Sequence, residues 1–87
     1  MEMPSNHIKE FQKFQIELKL PEEVLKKALS LHEKAIKNNL QNPNLVSACV
    51  YASCRNSSTQ ITLKIVANIA RIERRELALC YRLLRKI

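Results

Sequence analysis

The sequence predicts an all-α fold of five helices, and three of its features agree on this. Apolar residues recur at the spacing of one helix face through most of the chain. No stretch alternates apolar and polar residues, and no Asn-Gly or Asp-Gly pair offers a hairpin turn. Residues 45–55 are apolar on every side, which is typical of a helix enclosed by others. We therefore expect a central third helix with the other four around it.

One domain is the largest unit that this length allows. The 87 residues suffice for a single core, so residues 1–87 are expected to form one domain, with residues 1–5 as a flexible N-terminus. The 46% of hydrophobic and 26% of charged residues argue against disorder. No apolar run approaches the ~18 residues of a membrane span, and the first residues lack the segments of a secretory signal. We expect an intracellular protein with no membrane partner.

The first two helices are predicted from periodicity and from their end signals. The first covers about residues 6–19. The second begins at Pro21, whose fixed φ suits a first helical turn, and two glutamates follow at the positive end of the helix dipole. It ends at Asn38 and Asn39, because asparagine accommodates the left-handed C-cap conformation. Every turn in this chain must do without glycine, which is absent.

The remaining three helices follow at short intervals. Asn44 is expected to cap the third helix, residues 45–55, and Thr62 a fourth at about 63–70. A fifth is predicted at about residues 73–87. Steps of about 100° per residue give it an apolar side, formed by Leu77, Cys80, Tyr81, Leu84 and Ile87. The opposite side is basic, with Arg74, Arg75, Arg82, Arg85 and Lys86. The last pair therefore resembles a helix-turn-helix.

Catalytic and metal-binding chemistry finds little support. Aspartate and glycine are absent, and neither histidine lies near a cysteine or an acid pair. The three cysteines form no Cys-x-x-Cys pair. Cys54 beside Arg55 raises the alternative of a lowered thiol pKa, but a buried structural cysteine is favoured, and His32 is expected to be packed. We predict no enzyme activity, catalytic residue, cofactor, metal or small-molecule substrate.

The positive charge is concentrated near the C-terminus. Fifteen Lys and Arg against eight acids give a net charge of +7, and six cations less two acids in residues 71–87 supply +4 of it. Such a surface favours an anionic partner, including the phosphates of double-stranded DNA. The alternative is a solvated basic face without a specific partner. The predicted binding residues are Lys64, Arg71, Arg74, Arg75, Arg82, Arg85 and Lys86.

Two leucines motivate another class of function. Leu79 and Leu83 flank the apolar side of the last helix and are expected to stay exposed as a patch for a partner protein. The chain would then be a protein-interaction adaptor without DNA binding, with self-association as a third alternative. Binding of single strands is disfavoured, because the few aromatic residues offer no exposed stacking platform.

Three stretches in the second half of the chain match known motifs in order and spacing. Residues 47–55 resemble a small-residue run that ends in Tyr-x-Ala-Cys-Arg. Residues 62–64 with 66–67 resemble Thr-Leu-Lys-Glu-Ile-Ala. Residues 74–77 with 81–82 resemble Arg-Lys-Glu-Ile-Gly-Arg-x-Tyr-Arg. Together they are similar to a cyclin-like repeat of the transcription factor IIB family, which includes archaeal transcription factor B, and they are closer to its first repeat than to its second.

The resemblance implies a cyclin-like fold and a place in transcription initiation. By family, the partners are RNA polymerase, TATA-binding protein or another transcription factor, and promoter DNA. The location would be the nucleus in a eukaryote and the cytoplasm in an archaeon. Since the family has a zinc ribbon and two repeats, this chain is either an excised domain or a stand-alone relative. It departs from the family at Arg71 (usually Gly), Glu73 (usually Ser), residues 41–44 (usually a basic, glycine-containing loop) and Leu79 (usually polar or basic).

Overall fold

A computed structural model describes residues 5–40, 42–57 and 61–87. The N-terminus predicted to be flexible, residues 1–5, lies outside the described residues except for Ser5, where α1 begins. All regular secondary structure in the described ranges is helical, and the all-α prediction is confirmed. The helices are α1 (Ser5–Leu18), α2 (Glu22–Lys37), α3 (Leu45–Asn56), α4 (Leu63–Ala70) and α5 (Arg74–Leu84).

The third helix lies at the centre, as predicted. Every residue of α3 from Leu45 to Cys54 is buried, and α3 packs against each of the other four helices. Small side chains such as Ala48 and Ala52 let the neighbouring helix axes approach closely. Full burial of one Val or Leu side chain stabilises a fold by about 1.5–3 kcal/mol, so the buried Leu45, Val46 and Val50 make α3 a large contributor to the core.

Three helices end on a residue in the left-handed conformation. These residues are Lys19, Asn39 and Arg71, with φ of 51°, 62° and 61°. In each case the next amide donates to a carbonyl five residues earlier at 3.0 Å: Leu20 to Gln15, Leu40 to Ala35 and Ile72 to Ala67. This is the Schellman arrangement, and the residue that closes it is apolar every time. The prediction for Asn39 is confirmed, whereas Lys19 and Arg71 hold a conformation that costs a side-chain-bearing residue about 1–2 kcal/mol.

The starts of α2 and α4 test two predicted signals. Thr62 caps α4 as predicted, because its Oγ1 accepts a hydrogen bond from the amide of Ile65 at 3.2 Å. Pro21 is extended, with φ −63° and ψ 155°, and occupies the N-cap. The prediction that α2 begins at Pro21 is therefore wrong by one residue, since helical backbone starts only at Glu22.

The other two N-cap residues, those of α3 and α5, make no capping hydrogen bond with their side chains. Asn44 occupies the N-cap of α3, but its side chain makes no capping hydrogen bond. Instead, Oδ1 of Asn42 accepts from the backbone N–H of Asn44 at 2.8 Å, and this local turn fixes the start of the helix. Glu73 occupies the N-cap of α5, also without a side-chain hydrogen bond.

Candidate functional site

The last two helices form the predicted helix-turn-helix-like pair. α4 and α5 pack against each other and against α3, and residues 71–73 connect them. Val66 and Ala67 of α4 and Leu77 of α5 are buried in the core. The left-handed backbone of Arg71 reverses the chain, so that the first turn of α5 lies beside α4.

A groove of about 710 Å³ separates α4 from the start of α5. Lys64 and Asn68 line it from α4, and Glu73, Arg74 and Arg75 line it from the other side. The structure thus brings together three of the predicted binding residues, Lys64, Arg74 and Arg75. Because one carboxylate faces three cations, the groove attracts anions.

The basic surface continues along α5. Arg75 and Arg82 are seven residues apart and therefore lie on the same face of the helix, and both are exposed. Lys86 is exposed in the turn that follows. Within the described part of the chain, no hydrogen bond or ion pair engages the side chains of Lys64, Arg71, Arg74, Arg75, Arg82 and Lys86. Their charges are available to an anion from outside the chain.

Two of the predicted residues lie away from the groove. Arg71 is exposed in the turn and is not among the groove residues. Arg85 was expected opposite the apolar side of the last helix, but its guanidinium lies 5.8 Å from the ring centroid of Tyr81. It lines a separate hollow with Asn56. Arg85 is exposed and continues the helical backbone as the C-cap of α5. Because it follows Tyr81 by four residues, its side chain lies beside that ring on the helix surface.

A second arginine has the same geometry, although it is not among the residues predicted from the sequence. The guanidinium of Arg55 lies 5.8 Å from the ring centroid of Tyr51, and its Nη1 donates to the Tyr51 hydroxyl at 3.2 Å. Tyr51–Arg55 and Tyr81–Arg85 share the same four-residue spacing, a signal that was available. These two arginines are partly held by aromatic rings, which distinguishes them from those at the groove.

The leucine patch is exposed as predicted. Leu79 is 52% exposed and Leu83 is 44% exposed. Since Leu79 is four residues after Arg75 and three before Arg82, all three belong to one helix surface. The solvent side of α5 is therefore both cationic and apolar.

A second apolar surface lies between α1 and α2 and was not predicted. A groove of about 630 Å³ is lined there by Ile8, Phe11, Leu29 and Ile36, together with His32 and others. His32 is buried, as predicted, and packs edge to face against Phe11 with ring centroids 5.5 Å apart. The apolar residues that flank the main apolar stripe of the second helix could have predicted this surface.

The cysteines are structural. All three are buried free thiols. Burial raises the pKa of Cys49 to about 12, raises the pKa of Cys80 to about 11, and also raises the pKa of Cys54. The alternative that Arg55 lowers the pKa of Cys54 is wrong, because the Arg55 side chain is directed to Tyr51. In the described residues no group of three or more His, Cys or Glu side chains could hold a metal ion.

Comparison with known proteins decides the family. The sequence profile of the family described as transcription factor TFIIB repeat matches residues 2–87. This chain belongs to the TFIIB repeat family. The prediction of a cyclin-like fold for this TFIIB repeat is thereby confirmed. No solved structure matches this chain at a significant level.

Several curated relatives of this TFIIB repeat are archaeal proteins named transcription initiation factor IIB. The protein from Pyrococcus horikoshii is 33% identical over 79 residues, which are 86% of this chain and 26% of the relative. The protein from Saccharolobus shibatae is 35% identical over 71 residues, which are 77% of this chain and 23% of the relative. The TFIIB repeat thus spans about a quarter of the length of these relatives. No helix in its described ranges is long and apolar enough to cross a membrane.

Proposed function

We propose that this TFIIB repeat acts in transcription initiation by docking its basic α4–α5 surface on an anionic partner. One observation carries the proposal: Lys64, Arg74 and Arg75 converge on one groove, without ion pairs to other described residues. Similarity to proteins named transcription initiation factor IIB supports the setting. The chain has no catalytic role in this proposal.

Double-stranded DNA is the partner that fits this surface best. A helix-turn-helix places its second helix at the major groove, with basic side chains on the flanking phosphates. Arg75 and Arg82 on the exposed face of α5, with Lys64 on α4, provide phosphate contacts on two neighbouring helices. By family resemblance, RNA polymerase, TATA-binding protein or another transcription factor is the protein partner.

A fluorescence anisotropy titration with labelled duplex DNA at several salt concentrations tests the proposal. If the surface contacts several phosphates, the affinity for DNA should fall roughly tenfold or more when the salt concentration rises fourfold. Changing both Arg74 and Arg75 to Ala should weaken binding and flatten the salt dependence, while the circular dichroism spectrum stays unchanged. The matched control changes Lys13 and Lys26, two exposed lysines of α1 and α2, and should affect binding less. A salt-independent affinity would exclude DNA as the partner.

The second candidate function is that of a protein-interaction adaptor. The specific observation is the half-exposed pair Leu79 and Leu83 on the same face as the arginines. Apolar contacts depend little on salt, so this partner would be retained at high salt in an affinity pull-down with nuclease treatment. Changing both leucines to Ser should release it, whereas a DNA partner would be released by the salt.

A further inference from the structure

A second polar cluster lies between α2 and the end of α3. It surrounds a pocket of about 260 Å³ lined by Lys27, Ser30, Leu31, Lys34, Ser53 and Asn56. None of these residues lines the α4–α5 groove. The cluster is therefore a separate feature of the molecule.

The α2 residues of the pocket share one helix face. Lys27, Ser30 and Lys34 are separated by three and four residues, the spacing that aligns side chains on a helix. Nζ of Lys27 also donates to Oγ of Ser57 at 3.4 Å. This contact holds the Lys27 ammonium group beside the residue that follows α3.

The α3 side of the pocket contains an unsatisfied hydroxyl. Ser53 is only 2% exposed, and its Oγ has no hydrogen-bond partner among the described residues. A buried polar atom without a partner is costly and rare in native proteins. Ser53 lines the pocket, but its Oγ is buried. A change of the Ser53 χ1 rotamer would let this O–H group donate to an acceptor bound in the pocket.

We propose that this pocket binds a phosphate group, which is a tetrahedral oxyanion. The ammonium groups of Lys27 and Lys34 supply charge, and the hydroxyls of Ser30 and Ser53 and the amide of Asn56 supply neutral donors. The C-terminal end of α3 opposes an anion with about half a negative charge, which the two lysines outweigh. The phosphate is either free inorganic phosphate or part of a DNA backbone that passes over the pocket.

Titration of the ¹⁵N-labelled chain with inorganic phosphate, at constant ionic strength balanced by chloride, tests the site by NMR. Saturable shifts should appear in the amides around Lys27, Lys34 and Ser53. Changing both lysines to Ala should abolish them, and Ser53→Ala should weaken binding several-fold while the fold stays intact, because that hydroxyl has no partner to lose. The matched control changes Lys26 and Lys37, which lie on α2 outside the pocket, and should bind as the parent does.

Binding measurements with duplex DNA distinguish free phosphate from a DNA backbone phosphate as the ligand. If the DNA backbone supplies it, K27A/K34A should weaken DNA binding and free phosphate should compete with the duplex. If free phosphate is the ligand, DNA binding is unchanged and phosphate alone raises Tm of the parent but not of the double variant. Shifts that do not saturate, or that persist in K27A/K34A, would overturn the site. The phosphate titration does not involve Arg74 or Arg75, so its failure is distinct from failure of the proposed function.

Discussion

The rings of Tyr51 and Tyr81 meet edge to face, with centroids 4.9 Å apart and planes at 78°. The pair joins the central helix to the last one. The guanidinium groups of Arg55 and Arg85, each four residues after one of these tyrosines, lie 5.8 Å from the ring centroids of Tyr51 and Tyr81. This contact anchors α5 and so fixes the direction in which the basic surface of α5 faces.

The tyrosine pair should be energetically coupled. We expect a double-mutant cycle with Tyr51→Leu and Tyr81→Leu to give a coupling of about 0.5–1.5 kcal/mol, the usual range for aromatic pairs. Urea denaturation of the parent, both single variants and the double variant measures it. If the stability losses of the two single variants add up to that of the double variant within about 0.3 kcal/mol, the two rings do not stabilise each other.

Replacing Arg71 with glycine should stabilise the domain. Its φ of 61° is unfavourable for a residue with a Cβ atom, and glycine removes this cost. Because glycine also increases the entropy of the unfolded chain, we expect a net gain of about 0.5–1 kcal/mol in the free energy of unfolding. The matched control Arg82→Gly lies inside α5 and should destabilise by about 1 kcal/mol. Equal losses in both variants would contradict the prediction.

Two leucines of α5 should differ sharply in their contribution to stability. Leu77 is fully buried, whereas Leu79 is half-exposed. Leu77→Ala leaves a cavity in the core and should cost about 2–5 kcal/mol, while Leu79→Ala should change stability by less than about 1 kcal/mol. Thermal and urea unfolding followed by circular dichroism compare them. A large loss for Leu79→Ala would mean that this residue belongs to the core and not to a partner surface.

Stability should fall in alkaline solution because of the buried thiols. Burial raises the pKa of Cys49 from 9.0 to about 12 and that of Cys80 from 9.0 to about 11. In this range the unfolded chain loses thiol protons that the folded chain keeps, so the free energy of unfolding decreases with pH. The contribution of these two thiols to the free energy of unfolding is fully present below pH 9, and it is lost as pH rises through their pKa values in the folded chain.

The control for this pH dependence is Cys49→Ala. The informative quantity is the difference between parent and variant in the slope of the free energy of unfolding against pH, because this difference isolates the Cys49 thiol. We expect urea denaturation between pH 8 and 10.5 to show a shallower decline for Cys49→Ala. Parallel curves would mean that Cys49 ionises equally well in the folded chain.

Much of the helical layout followed from local chemistry that the sequence displays directly. Thr62 caps α4 at the predicted place, and Asn39 ends α2 in the predicted conformation. Residues 45–55 have no polar face and therefore form the central helix, where every side is covered by other helices. Six of the seven candidate cations were visible as a charge concentration in residues 71–87. The two leucines were visible because they flank the apolar side of the last helix.

Tertiary packing decided which of those side chains act together. Arg85 lies against the ring of Tyr81, one helical turn before it, and not in the α4–α5 groove. The pocket at Ser53 required α2 and the end of α3 to meet, although the two segments are far apart along the chain. Periodicity, capping and net charge depend on neighbours within one or two helical turns and are therefore readable from sequence. Grooves, ring contacts and unsatisfied buried atoms depend on how separate helices pack, and only the folded chain determines them.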